Sequence, residues 1–312
     1  MDKCRLGANG PEVSRLCFGT LTIQQKHLTA EDGARLLIHA RECGVNFLDT
    51  AQFYQNYEPI RLALKACPDY IVCTKSYCYD EATAQQAFDE ARRALGREYI
   101  DLFLLHEQES IHTLRGHERA LEFLARQKER GYIGQTGVST HFVSCVRSAS
   151  VFPHVDVIMP LVNMAGVGVP DGTAEDMAAA CAEAHARGVA LYGMKALGGG
   201  SLLARREEAL AYALAQPYLA SIAVGMQSFD EIDCNVALFE GRPLPAEAAA
   251  RLRAQPRRLL IDDWCEGCGA CVRRCRQNAL RIEDGKCRVE HAQCALCGYC
   301  AAACPQFCIK II

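Results

Sequence analysis

Thr29-Ala30-Glu31-Asp32-Gly33-Ala34-Arg35-Leu36-Leu37-Ile38-His39-Ala40-Arg41-Glu42-Cys43-Gly44-Val45-Asn46-Phe47-Leu48-Asp49-Thr50 reads as a helix running into a strand. Thr29 suits an N-cap, Glu31 and Asp32 place acid in the first turn, and Gly44 supplies the left-handed residue that ends the helix. Asn46–Thr50 follows as a short apolar strand. The unit recurs in both directions. Candidate strands are Val13–Gly19, Asn46–Thr50, Tyr70–Lys75, Ile100–His106, Gly134–Ser139, Val155–Leu161, Val189–Met194 and Ser221–Gly225. Between them, Thr83–Leu95 closes at Gly96, Leu114–Arg130 at Gly131 and Thr173–Arg187 at Gly188. Eight strand–helix units predict an α/β fold, a (β/α)8 TIM-type barrel whose active site lies at the C-terminal strand ends. An open doubly wound sheet is the alternative, and no G-x-G-x-x-G follows the first strand to support it.

The rhythm stops before residue 259. Leu244–Pro256 reads as a helix and short linker, which predicts a barrel over 1–258 and a small module over 259–312. The module carries two C-x2-C-x2-C-x3-C runs, Cys265/Cys268/Cys271/Cys275 and Cys294/Cys297/Cys300/Cys304, the second 29 residues after the first with Gly269 recurring as Gly298. One C-x2-C alone could hold zinc. Two complete runs favour two [4Fe–4S] clusters, each held by three thiolates of one run and the fourth of the other. That predicts Cys265, Cys268, Cys271 and Cys304 around one cluster and Cys294, Cys297, Cys300 and Cys275 around the second. Residues 260–312 resemble the bacterial two-cluster ferredoxins. Cys287 and Cys308 have no repeat partner and read as bystanders, while Arg273, Arg274 and Arg276 place cations near the second site.

Nine further cysteines (Cys4, Cys17, Cys43, Cys67, Cys73, Cys78, Cys145, Cys181, Cys234) are scattered without metal spacing and read as small packed hydrophobes. Half of the 312 residues are apolar and the net charge is −3, with no basic stripe, so nucleic acid is not an expected partner. No apolar run reaches the length of a membrane span, and the N-terminus lacks a signal-peptide core. A reducing cytoplasm is the expected compartment.

Asp49 with Tyr54 after the second strand, Lys75 after the third and His106 after the fourth form a set that resembles the catalytic tetrad of the aldo-keto reductase family. The likeness runs over residues 1–240, from Arg5-Leu6-Gly7 and Phe18-Gly19-Thr20 to Gly225-Met226 and Asn235. It implies that Tyr54 donates a proton to a carbonyl oxygen, that Lys75 lowers the phenol's pKa, that Asp49 holds Lys75, and that His106 orients the substrate. It also implies cofactor contacts at Gly19, Thr20, Ser139, Thr140, Asn163, Lys195, Gly198, Gly199 and Asn235.

The cofactor positions depart from the family pattern. The carboxamide-binding pair reads Ser139-Thr140, the glutamine position is Met159, and the stacking aromatic is Met194. Glu231 stands where a 2′-phosphate clamp is usual, which disfavours NADPH and leaves NADH and flavin open. A hydride carries two electrons whereas a cluster passes one, so a flavin or radical step is expected between them. The sequence therefore predicts an oxidoreductase reducing a small carbonyl or related substrate, with electron transfer through the clusters. Its rivals are a one-electron reductase without nicotinamide, and an electron-transfer protein whose barrel is a scaffold serving a redox partner protein.

Overall fold

The computed structural model describes every residue except Lys26 and His27. The chain opens with a hairpin, β1 (Lys3–Arg5) and β2 (Glu12–Ser14). Eight parallel strands follow: β3 (Leu16–Gly19), β4 (Phe47–Asp49), β5 (Ile71–Ser76), β6 (Ile100–Leu105), β7 (Ile133–Thr140), β8 (Val157–Pro160), β9 (Ala190–Met194) and β10 (Ser221–Gly225). They pair in sequence order and β10 pairs back onto β3, which closes the barrel.

Alternation along each strand decides what points inward. Cys17, Phe47, Cys73, Leu102, Leu104, Val157, Met159, Tyr192 and Met194 fill the interior, with Leu6 and Val13 of the hairpin against its floor. The opposite faces pack on the surrounding helices in one continuous apolar layer. Two residues above Phe47 is Asp49, above Cys73 is Lys75, and above Leu104 is His106. The polar set is thus the next inward layer on an apolar plug.

Two expected elements are divided. The strand expected over Val13–Gly19 breaks at Arg15, where the chain leaves the hairpin for the barrel and the guanidinium donates to the Leu214 and Leu219 carbonyls. The helix expected over Leu114–Arg130 is two helices, Ile111–Gly116 and Glu118–Glu129. They join at His117, whose Nδ1 lies 2.8 Å from Gln108 Oε1.

Residues beyond the helix Ala246–Ala254 form two antiparallel pairs, β11 (Leu259–Ile261) with β14 (Ile309–Ile311) and β12 (Leu280–Glu283) with β13 (Lys286–Val289). The 29-residue repeat is visible in the backbone. Left-handed residues recur in register, Gly267 with Leu296, Gly269 with Gly298 and Asn278 with Phe307. Each repeat ends on a strand, β12 in the first and β14 in the second.

The module packs over the barrel mouth. Gln25 donates to Asp262 at 2.9 Å, and Trp264, the single tryptophan, lies 5.9 Å from the Phe53 ring. Phe307 is 2 % exposed. Its ring fits against Gly168 and Gly199, where a Cβ on either glycine would crowd it. Gly200 lies so close under β14 that a Cβ there would collide with the Ile311 carbonyl oxygen.

Candidate active site and thiolate sites

Asp49 ends β4 and Lys75 sits near the end of β5, which brings the two together across adjacent strands. Lys75 is 1 % exposed, and its three ammonium hydrogens are all used: Asp49 Oδ1 at 2.7 Å, Asp49 Oδ2 at 2.8 Å and the Thr50 carbonyl at 2.7 Å. The Tyr192 hydroxyl donates to Asp49 Oδ1 at 2.9 Å and lies 3.0 Å from Cys73 Sγ. Burial pulls Lys75 down, but Asp49 with Tyr54 and Cys73 together outweigh it, and the ammonium is held above its usual range.

Tyr54 lies in a single 3-10 turn, Gln52–Tyr54. The turn is tied to β5 by Ser76 Oγ donating to Gln52 Oε1 at 2.7 Å and is ended by Gln55 in the left-handed region. The half-buried phenol faces the cavity without a hydrogen-bond partner among the described residues. The Lys75 ammonium is 5.3 Å from its ring centre. The expectation that Lys75 brings the phenol pKa below normal is corrected. Burial raises it, Lys75 opposes that rise, and the net shift is upward. With no ammonium hydrogen left to reach the phenol oxygen, Lys75 cannot offset the loss of solvent. Tyr54 therefore stays protonated at neutral pH, the form a proton donor needs.

His106 follows β6, stacked on Tyr77 at 4.5 Å and edge-on to Tyr54 at 5.7 Å. Burial, and then Lys75 and Lys195, hold it well below the usual imidazole range. A neutral ring offers one N–H donor to a ligand, and its Nδ1 has no partner in the protein.

Asp49 and Tyr54 open onto a cavity of about 260 Å³ whose wall also includes Gly19, Met159, Met194, Lys195, Gly199, Glu231 and Asn235, with Phe307, Lys310 and Ile311 from the module, while Lys75 and His106 lie behind it. The other expected cofactor positions are elsewhere. Thr20 Oγ1 donates to the Asp49 carbonyl, Ser139 Oγ accepts from Glu107 N, and Thr140 Oγ1 accepts from Phe142 N. The Asn163 amide binds the backbone of Ala165 and Val167. Gly198 packs against Leu202. A carboxamide clamp is therefore not formed: Ser139 and Asn163 serve the chain, and β14 covers the glycine run. The outer end is more accommodating, with Asn235 Oδ1 buried and unpartnered. There Glu231 accepts from Gln227 N at 2.7 Å, and Arg206 and Arg257 also line the wall, so an acid is not the sole charge there. The nicotinamide end does not fit these residues.

Within the module, Cys265, Cys268, Cys271 and Cys304 line one cavity, and Cys275, Cys294, Cys297 and Cys300 line a second of about 260 Å³. Each cavity collects three cysteines of one run and the fourth of the other. Cys287 and Cys308, expected as bystanders, are buried in the first cavity. Cys287 Sγ is 3.4 Å from Cys271 Sγ, and Cys308 Sγ is 3.3 Å from Cys304 Sγ. Contact with these neighbours lowers the Cys271 and Cys304 thiols, toward the thiolate that binds metal.

Residues 15–209, which form most of this closed barrel and its polar layer, match the Aldo/keto reductase family. The chain belongs to the aldo/keto reductase family. A 4Fe-4S binding domain matches residues 260–281. This aldo/keto reductase is 25 % identical over 280 residues to an L-galactose dehydrogenase of Arabidopsis thaliana, covering 74 % of this chain and 86 % of that one. It is 30 % identical over 129 residues to a methylglyoxal reductase of Yersinia pestis, covering 38 % of this chain and 45 % of that one. Among solved structures, the holo form of the aldo-keto reductase AKR11C1 of Bacillus halodurans superposes with a TM-score of 0.65 at 24 % identity, over 81 % of this chain and 95 % of that one. The chain is an aldo-keto-reductase-like oxidoreductase with a 4Fe-4S domain. Among the described residues no helix is long and apolar enough to cross a membrane.

The sequence did not single out Tyr192, Tyr77, Trp264, Phe307 or Lys310. Tyr192 was accessible through strand alternation, two residues before Met194 on an inward face. Tyr77 follows β5 on its loop, and Trp264, Phe307 and Lys310 depend on how the module seats, for which no short motif exists.

Proposed function

We propose that this protein reduces a small carbonyl compound at the barrel mouth, with electrons drawn through two [4Fe–4S] clusters in the module. The observation that supports it most is shared construction: Tyr54 and Asp49 form one side of the cavity, and Phe307, Lys310 and Ile311 of the cysteine module form another. Cys265, Cys268, Cys271 and Cys304 would hold one cluster and Cys275, Cys294, Cys297 and Cys300 the other. Such clusters supply electrons singly. The chain's own residues do the rest. Reduction to the alcohol takes two electrons, passed one at a time, and two protons. His106 donates a hydrogen bond to the carbonyl oxygen, Tyr54 gives that oxygen its proton, and solvent water supplies the proton that ends on carbon. Lys75, fixed by Asp49, adds positive potential where negative charge develops.

The direct test is anaerobic turnover of small carbonyl compounds with NADH, NADPH, reduced flavin or reduced methyl viologen as donor. Reduction with the one-electron donor or flavin, and weaker use of NADPH, is expected. No reduction with any donor, together with fast electron exchange with a partner protein, would show a scaffold barrel instead. The exposed Cys297 beside Arg274 and Arg276 at the second cavity favours that rival.

Purified anaerobically, the protein should carry about eight iron and eight acid-labile sulfide, following the two four-thiolate sites. Cys287→Ser and Cys308→Ser should keep that content, whereas Cys271→Ser should lower it by half. Iron and sulfide analysis that finds both clusters in Cys271→Ser would overturn the ligand set.

A further inference from the structure

We infer that Lys195 receives an anionic group of the substrate beside the Tyr54 phenol, so that the compound reduced is a small carboxylate-bearing carbonyl such as a 2-oxo acid. The inference rests on the carbonyl-reductase reading and adds the substrate class.

The charges around the cavity carry the argument. Lys75 is matched by Asp49. Lys310 donates to the Phe307 carbonyl and faces Asp262 Oδ2 at 3.8 Å. Glu107 accepts from the Tyr77 hydroxyl at 2.5 Å, and it and Asp262 attract Lys195 from beyond ion-pair distance. Lys195, like Arg206 and Arg257 farther along the wall, has no carboxylate within ion-pair distance among the described residues. Its ammonium lies 4.3 Å over the Phe307 ring, which offers a weak attraction in place of a counter-ion. His106 and His141, within reach of its charge, are both held neutral. The cavity therefore carries, in Lys195, an ammonium without a direct carboxylate partner on the wall it shares with Tyr54.

Its placement is also costly to the backbone. Lys195, one residue past β9, has φ +60°, a left-handed conformation that side chains bearing a Cβ rarely adopt. The Gly198 N–H bond to its carbonyl at 2.8 Å holds that turn. Burial pulls the ammonium pKa down, a cost that an anionic partner would remove.

A compact carboxylate suits the surroundings better than a diphosphate. The backbone of Gly199 and Gly200, which would have to share a diphosphate's charge, lies against Phe307 and β14. Lys195 shares the cavity of about 260 Å³ with Arg206 and Arg257, but the Gly199 and Gly200 backbone near it is already taken.

The test compares pyruvate with methylglyoxal, near isosteres that differ in carrying a carboxylate, and adds calorimetric titration of the intact holoprotein with oxalate, which needs no turnover. The wild-type protein should prefer pyruvate. Lys195→Gln should lower the pyruvate-to-methylglyoxal ratio of kcat/KM about 10–100-fold, the size of one charge-assisted hydrogen bond. It should weaken oxalate by a similar factor, and Lys195→Arg should recover most of both. Oxalate binding unchanged in Lys195→Gln overturns the inference. So does a variant that weakens inorganic pyrophosphate or NADH while leaving oxalate alone, which would assign Lys195 to a cofactor. The two readings separate cleanly. Lys195-dependent oxalate binding without reduction of any carbonyl keeps the anion site and rejects the reductase. Methylglyoxal turnover without oxalate binding keeps the reductase and rejects the anion site.

Discussion

Replacing Tyr54 with phenylalanine should lower kcat for carbonyl reduction by about 10²–10⁴-fold, the usual contribution of a positioned general acid. The substitution deletes one oxygen. Because the phenol has no partner within the protein, its loss leaves no donor or acceptor unsatisfied. The ring that stays behind keeps its edge contact with His106 at 5.7 Å and its place beside Lys75. Fold and iron content should therefore match the wild type, as circular dichroism and metal analysis would show. Steady-state kinetics with a working donor decides the point. Turnover equal to wild type would mean that the proton comes from another group and that the four-residue set is not the reaction centre.

Asp49→Asn should be among the most destabilising single changes in the barrel, by about 3–5 kcal/mol, the cost of leaving one member of a buried ion pair uncompensated. Lys75 is almost fully enclosed, and two of its three hydrogen bonds go to the two oxygens of Asp49. Tyr192, which donates to the same carboxylate, would also face a weaker acceptor. Replacing both charges, as in Asp49→Leu with Lys75→Met, should recover much of the loss, because no buried charge then remains. Urea unfolding followed by circular dichroism under anaerobic conditions measures both. An Asp49→Asn protein within about 1 kcal/mol of wild type would show that water reaches Lys75, contrary to its burial.

The barrel was legible because its signals are local. Glycine-ended amphipathic helices and short apolar strands locate the units to within a residue or two, and residues at strand ends must share one face. Asp49, Lys75 and His106 were therefore readable. The two runs made the grouping of their own eight cysteines readable, but not that Cys287 and Cys308 join the first cavity. Long-range hydrogen bonds were not readable. Ser139 and Asn163 looked available for a ligand until Glu107, Ala165 and Val167 were seen to use them. The glycines at 198–200 looked like an approach for a phosphate, and their approaching partner is the chain's own β14. Tyr54 shows the same limit in its electrostatics. A neighbouring lysine can be inferred from strand order, but which acceptors take its hydrogens, and how far burial outweighs it, belong to the assembled site.

The duplicated backbone of the module has one more implication. Nothing in the cysteine spacing of its two loops ranks one above the other. Contact with the barrel does. Phe307 and Lys310 of the second copy are buried at the barrel mouth, whereas Asn278 and Arg281, their counterparts in the first, are exposed. The thiolate pocket containing Cys304 also gathers Cys287 and Cys308, sulfurs the other pocket lacks. Two loops of one spacing thus acquire an inside and an outside, so docking on the barrel adds to the asymmetry that Cys287, Cys308 and the arginines of the first copy already give the module.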